Sequence, residues 1–483
     1  MTGVTTVRAA SWWGGRRHRL FTVCVFVVLA SLDNTAIALM PPLYGVMSTD
    51  LGVSEAALGF VTALAIGTTA LSAAVWGYIG DRANRKLLML VGTAVWVGGV
   101  AGTSLAPSFG VLVAAQLLTA VGLGVIASVG FSVVSDLVSP RRRGLAMSFW
   151  GIAQGAGTVT GTLLGGVLGA GDWRRPFLLL AVAGLVSAAA YVFAVDISRG
   201  ASEPQLVPLF EAGGAYEARI QPSDVPVLLR RPTNRWLIVQ GFTAQFAYGS
   251  LVWLPRLFQA KIETQGVDMA TATVVGSMFA TVFQVGAVLA IVGGWLGDRW
   301  QRRDLAGRAK LSMIGVLGAI PFFVALFFLP LPVDLAGSGG SGAFVGAVFA
   351  SLVTEPAGAA TFVIAFVALT LTSADSPNWF ALIGDVNLPE HRGTVFGLGN
   401  LVNGLGRALG NGLVGVSFGA LVARFPPPLN YAIGLAAFQL WFLPTGWAYW
   451  RAAKSSPDDI RRVRRTLYER GSRGGGLDAP TLR

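Results

Sequence analysis

Twelve apolar runs, spread from one end of the chain to the other, constrain its fold more than any other feature. Crossing a bilayer as a helix takes roughly 20 predominantly apolar residues. The runs lie at about 20–44, 55–79, 87–106, 109–138, 144–169, 176–196, 236–258, 271–297, 310–330, 358–384, 393–421 and 429–450, and are numbered here as spans 1 to 12. With 53% hydrophobic residues, 12% charged and a mean hydropathy of +0.63, the composition is outside the soluble globular range. The pattern predicts an all-α integral membrane protein.

The net charge of +12 does not point to nucleic acid, because of where the cations lie. If both ends are placed inside, and Arg256 and Lys310 at span ends are counted with the segments they border, 30 of the 36 Lys and Arg residues fall in cytoplasmic segments, 5 in external ones and 1 within a span. The positive-inside rule then sets the orientation, with basic residues touching anionic lipid and both termini cytoplasmic. The single cysteine, Cys24, excludes an intramolecular disulfide. His18 and His391 stand far from any metal-like cluster, so no metal site is expected. No Ser-His pair or ligand cluster suggests an enzyme.

Two turn motifs occur twice. GYIGDRANRK, from Gly77 to Lys86, is matched in the second half by GWLGDRWQRR, from Gly294 to Arg303. Small glycines let a helix end approach a neighbour, and Asp81 and Asp298 are suited to the orphan amides of a facing helix N-terminus. Arg82, Arg85 and Lys86 hold the first turn at the cytoplasmic face, as Arg299 does in the second. DLVSPRRRG, from Asp136 to Gly144, is matched by DVNLPEHRG, from Asp385 to Gly393, with Asp, Pro, Arg and Gly at identical spacing. The two motifs stand farther apart in the second half, which therefore carries about 32 extra residues between them, found near 331–357. Its AFVGAVFASLV stretch spans only about 16 Å as a helix, so it is expected on the external face as a short interfacial helix or an extension of span 10.

Asp33 is the most informative single residue. It falls about 13 residues, or roughly 20 Å, into span 1, where a carboxylate costs about 2.5 to 3.5 kcal/mol on insertion scales. With Asn34 and Thr35 it forms an inward polar stripe: either a proton-carrying group or a structural carboxylate bonded to a neighbouring helix. In span 5, GTVTGTLLGG places glycines at every fourth position as a flat packing face, partly repeated at Gly404, Gly406 and Gly410. Residues 197–235 read as a proline-rich cytoplasmic linker between an N-terminal bundle (20–196) and a C-terminal one (236–450), with residues 1–19 before the first as a cytoplasmic N-terminus. In the basic tail (451–483), Ser456-Pro457-Asp458-Asp459 reads as a helix start. Ile460, Val463, Leu467 and Tyr468 would then form one face, flanked by arginines, for the inner leaflet or for a merely solvated tail.

The paired motifs resemble the major facilitator superfamily over residues 20–450. LDN in span 1, GYIGDRANRK and SDLVSPRRRG are similar to its spinster-like branch, whose relatives move lysophospholipids or sphingolipid phosphates. The chain departs from that branch at Asn34, Gln116 and Leu123, which stand where the pattern has arginine, arginine and glutamate. The GTVTGTLLGG run resembles the antiporter motif of drug exporters, with Thr162 in place of a proline.

The resemblance implies two pseudo-symmetric six-helix bundles, with spans 1, 4, 7 and 10 around a central cavity and alternating access by rocking of the halves. Cavity candidates in the first half are Asp33, Asn34, Gln116 and Gln154. In the second they are Gln245, Tyr248, Asp375, Asn378, Asn403 and Arg407, with Asp375 and Arg407 expected to pair. The conformational gate comprises Gly77, Asp81, Arg82, Arg85, Asp136 and Arg143, with Asp298, Arg299, Asp385 and Arg392. Arg143 and Arg392 are the expected partners of the two motif aspartates. The function implied is a secondary active transporter in the cytoplasmic (inner) membrane, acting as a monomer on an amphipathic or lipid-like small molecule. It would be driven by a proton gradient through Asp33, with no cofactor. A multidrug or metabolite exporter of the same fold and a non-transporting sensor are the alternatives.

Overall fold

The computed structural model describes residues 15–80, 83–130, 133, 143–195, 224–335, 340–387 and 389–473. Asp81, Arg82 and Asp136 lie outside these residues, as do the side chains of Arg143 and Arg392. Within the described residues all twelve apolar runs are helical. In the first half they are α1 (Arg16–Leu39) with α2 (Tyr44–Leu51), α3 (Glu55–Gly80), α4 (Arg85–Ser104), α5 (Phe109–Val125), α6 (Arg143–Leu163) and α7 (Arg174–Val192). A short α8 (Asp224–Arg230) precedes α9 (Pro232–Ser250) with α10 (Leu254–Glu263), α11 (Met269–Phe283) with α12 (Ala290–Gln301), and α13 (Gly307–Phe328). Then come α14 (Ser341–Thr354), α15 (Pro356–Ser373) with α16 (Asp375–Val386), α17 (Pro389–Leu421), and α18 (Leu429–Gln439) with α19 (Phe442–Arg473). Among the described residues, nine stretches are long and apolar enough to cross a membrane.

Most interruptions within spans coincide with proline, which lacks an amide and fits best in a helix's first turn. Pro41 and Pro42 separate α1 from α2, Pro255 opens α10, Pro377 lies in the first turn of α16 and Pro444 in that of α19. Gly52, at φ 64°, ends α2 in the left-handed conformation that favours glycine. The amide residue of each repeated turn caps the helix that follows it. Asn84 accepts from Leu87 N at 2.9 Å, and Gln301, at the matching position of the second copy, accepts from Arg308 N at 3.0 Å.

The chain forms two compact units. One contains residues 1–53 and 64–217, the other 54–63 and 218–483. The first turns of α3 thus belong with the second unit, where Asn411 donates to Gly59 O at 3.0 Å. Within the first unit, α6 lies against α1: a Cβ at Gly157, Gly161 or Gly165 would strike the carbonyl oxygen of Ser31, Thr35 or Leu39. The second unit repeats this seam, with Gly406 and Gly410 of α17 against the carbonyls of Phe242 and Phe246 on α9. Gly406 and Gly410 correspond to Gly157 and Gly161 in the same register that matches Asp385 to Asp136. Close backbone approach through small residues is how helices gain contact where lipid offers no hydrophobic drive.

One alternative is decided and one expectation is corrected. The insert is a separate helix, α14, and not an extension of span 10; Glu355 breaks it from α15, and Ser351 and Val348 are buried while Phe349 and Val353 face outward. The tail helix does not start at Ser456, because α19 runs through Pro457 without a break. Asp459 accepts from Thr233 N at 3.2 Å, capping α9 and not its own helix, and Ile460 and Val463 are buried against protein rather than free for a leaflet surface. Arg256 and Lys261, two of the cations counted as external, are not exposed. Both are buried in α10, where Lys261 donates to the carbonyls of Leu326 and Leu329 at the end of α13 (3.1 and 2.6 Å), as a cation at a helix C-terminus does.

Candidate functional site

In the first unit Asp33 lies on α1 between Ser31 and Thr35, the two residues on which α6 rests, and is 5% exposed. Thr35 donates to Gly157 O at 3.1 Å, which fixes the face that α1 turns toward α6. Asn34 is half-buried and donates to Ala30 O of its own helix at 3.3 Å. Gln154 of α6 is half-buried as well. Gln116 departs from the expectation of a cavity amide. It is buried in the seam between α4 and α5 and donates to Thr103 at 3.1 Å, because Gly99 and Gly122 bring those two helices too close for an amide to be left unpaired.

The second unit holds a denser cluster. Asp375, 6% exposed, sits at the junction of α15 and α16 and accepts from Tyr449 of α19. Gln240 Nε2 of α9 donates to its Oδ1 at 3.3 Å, and the Tyr248 hydroxyl lies 3.4 Å from its Oδ2. The expected pairing with Arg407 is thereby overturned: two phenols and an amide, not a guanidinium, surround this carboxylate. Arg407, Gln245 and Asn403 are half-buried, with Asn403 packed on Gly241. Asn378 is also corrected, since it donates to Ala374 O at 2.8 Å and Gly293 O at 3.3 Å and fills the space above Gly297. Its role is to join α16 to α12.

At the end of the bundle carrying the repeated turns, Arg308 bridges Asp298, at 2.6 Å, and Asp385. Gln301 Nε2 adds a bond to Asp385 at 3.3 Å. Asp298 therefore finds a partner at the start of the very next helix, α13, while the side chains of Arg143 and Arg392, the expected partners, lie outside the described residues. Arg308 has no counterpart in the first copy, where Val91 stands at the matching position, so the repeat could not reveal it. Asp304 closes this turn by accepting from Lys310 at 2.6 Å and from Ala306 N at 2.9 Å. The Lys310 bond, with the Ala306 amide, holds its carboxyl below the usual range. Arg299 is exposed and lies 5.7 Å from the Trp295 ring centre. Gly77 and Gly80 of α3 lie against Ser128 and Val129, and Arg85 opens α4 as a buried side chain.

At the opposite end of the second unit, Arg256 reaches both oxygens of Glu55 at 2.9 Å and Glu263 at 2.8 Å, with Tyr431 donating to Glu55 at 2.8 Å. Sequence reasoning missed this network, and it also missed Tyr449 and Gln240. The available signal was a set of polar side chains inside or bordering apolar runs, which have to find partners.

The sequence profile described as Major Facilitator Superfamily matches residues 23–411. The chain belongs to the Major Facilitator Superfamily. Its members are transporters, not enzymes. Among curated proteins, this facilitator is 27% identical over 287 residues to protein spinster homolog 3 of Danio rerio, covering 57% of this chain and 56% of that one. It is 25% identical over 301 residues to the sphingosine-1-phosphate transporter SPNS2 of Mus musculus, covering 59% and 53%. The chain thus spans about half the length of these relatives. A longer match, 26% identical over 416 residues, is to protein spinster homolog 1 of Xenopus laevis, covering 80% and 72%. Among solved structures, a bacterial homologue of the human lysosomal transporter spinster, inward-facing and occupied, superposes with a TM-score of 0.69 at 18% identity, covering 92% of this chain and 99% of that one. A D-xylose-proton symporter gives 0.62 at 15% identity, covering 90% and 97%. These likenesses show the fold: an all-helical facilitator of two pseudo-symmetric six-helix bundles.

Proposed function

We propose that this facilitator is a proton-coupled secondary transporter that moves an amphipathic, single-chain lipid-like molecule across the cytoplasmic membrane by alternating access. The observation that carries the coupling is Asp33, an acid 5% exposed in the middle of a membrane-spanning helix. Holding it there as an anion is costly, and taking up a proton removes that cost, so a bound proton and a conformational change become linked. The lipid-like substrate class is supported by the spinster relatives, one of which is a sphingosine-1-phosphate transporter. The orientation with both ends inside is supported by the distribution of Lys and Arg.

The test is flux in proteoliposomes with an imposed pH gradient, using a lysophospholipid and sphingosine-1-phosphate as probes. The wild type should accumulate at least one of them faster with the gradient than without it. Asp33→Asn should lose accumulation while retaining exchange. Accumulation by the variant at the wild-type rate would remove Asp33 from the mechanism. Movement of amphipathic drugs alone, with neither lipid transported, would transfer the assignment to the multidrug alternative.

A further inference from the structure

Asp375 occupies the break in span 10. α15 ends at Ser373, Ala374 intervenes, and α16 begins with Asp375 itself. Discontinuous helices within the membrane are where transporters commonly hold coupling ions, because freed backbone groups and side chains converge there. Here Thr372 O, at the end of α15, accepts from the Tyr248 hydroxyl at 3.4 Å, and that hydroxyl also lies 3.4 Å from Asp375. The groups facing the carboxyl are Tyr248 and Gln240 from α9 and Tyr449 from α19. Among the described residues, no Lys, Arg or His forms an ion pair with it.

A second, independent observation concerns Gln240. The residue is 2% exposed, its Nε2 is spent on Asp375, and its Oε1 is buried with no hydrogen-bond partner. Leaving a buried acceptor unsatisfied forfeits its hydration with no hydrogen bond in return. Rotating the amide brings Oε1 to the place of Nε2, where it accepts a hydrogen bond from a protonated carboxyl but has nothing to gain from a carboxylate. Gln240 is thus a two-position group: one position matches the ionised acid and the other the neutral acid. The two tyrosines serve both states, since a phenol donates to either.

We propose that Asp375 is a second proton-exchange site of this transporter, loaded and unloaded as the Gln240 amide rotates. The step is a simple protonation: a proton from bulk water forms an O–H bond on the carboxylate and later returns to water, with no electron transfer. This deepens the proton-coupled reading and rests on it for its role in transport, but its test needs no substrate.

The experiment is infrared difference spectroscopy of the full chain in detergent, between alkaline and acidic buffers of choline chloride, reading the carbonyl stretch of protonated carboxyls. Asp33→Asn should keep a carboxyl band that Asp375→Asn lacks. Tyr449→Phe should retain that band at a shifted frequency, because the carbonyl loses a donor, and this variant serves if Asp375→Asn does not fold. An Asp375→Asn spectrum identical to the wild type, or a band indifferent to Tyr449→Phe, would overturn the proposal. So would a band abolished by replacing choline with sodium, which would assign the site to the metal ion. Absence of the band from the wild type, with Asp33-dependent flux intact, refutes this proposal and leaves the coupling through Asp33 standing. Loss of that flux with the band intact does the reverse.

Discussion

Arg256 is the cation whose removal should be felt most. Its side chain is 6% exposed and is shared by Glu55 and Glu263, which are 21% and 26% exposed. Its guanidinium also lies 5.3 Å from the Tyr431 ring centre. Arg256→Met keeps the packing volume but leaves two carboxylates facing each other across an apolar side chain. Breaking a buried pair by removing one partner costs about 3–5 kcal/mol; since both carboxylates keep some water, the low end, about 3 kcal/mol, is expected. The triple variant Glu55→Met, Arg256→Met, Glu263→Met removes the desolvated charges altogether and should recover most of that loss, because apolar replacement of a whole buried triad is often neutral or better. What it does not recover is the Tyr431 bond to Glu55, worth about 1 kcal/mol. The assay is detergent unfolding followed by the fluorescence of the 14 tryptophans. A single Arg256→Met variant within about 1 kcal/mol of wild type, or a triple variant less stable than the single, would refute the reasoning.

Three further outcomes are expected. Gly161→Ala places a Cβ 2.5 Å from Thr35 O and 3.0 Å from the Ala38 Cβ, so it should lower stability by about 1–3 kcal/mol; Gly155→Ala on the same helix meets nothing within 4 Å and should raise it by up to about 1 kcal/mol. Both are read as melting shifts in detergent. Asp304 has a lowered pKa in the folded protein, so its stabilising effect is present above its unfolded pKa and lost as pH falls through the folded value. With Asp304 34% and Lys310 44% exposed, that effect is below about 1 kcal/mol, and Asp304→Asn should show a shallower fall in Tm on acidification. Arg308→Ala severs Asp298 and Asp385 together and should cost about 1.5–3 kcal/mol, mostly through the less exposed Asp385, with Asp385→Asn added to it restoring part of the loss in a double-mutant cycle.

Much of the fold was legible in the chain because it depends on properties that each segment carries alone. Apolar length identified the spans, prolines marked most of their breaks, and the two repeated turn motifs announced the duplication. The Asn84 and Gln301 caps and the repeated glycine seam are the physical content of that duplication. The acids Asp33 and Asp375 were legible too, since a carboxylate in an apolar run has few permitted settings. Their surroundings were not. A helix that is apolar all round has no hydrophobic stripe to say which way a polar side chain points, so Gln116 and Asn378 could be assigned to a cavity while the structure turns them into helix seams. Tyr449 and Gln240 meet Asp375 from distant parts of the chain, on α19 and α9, and Asp298 pairs with Arg308, a residue that neither repeated motif contains. The sequence alone determined that the chain crosses the membrane in two related halves with a buried acid in each. Which donors hold those acids was decided only by tertiary packing, because a buried polar atom bonds to whatever group the neighbouring helices bring within reach.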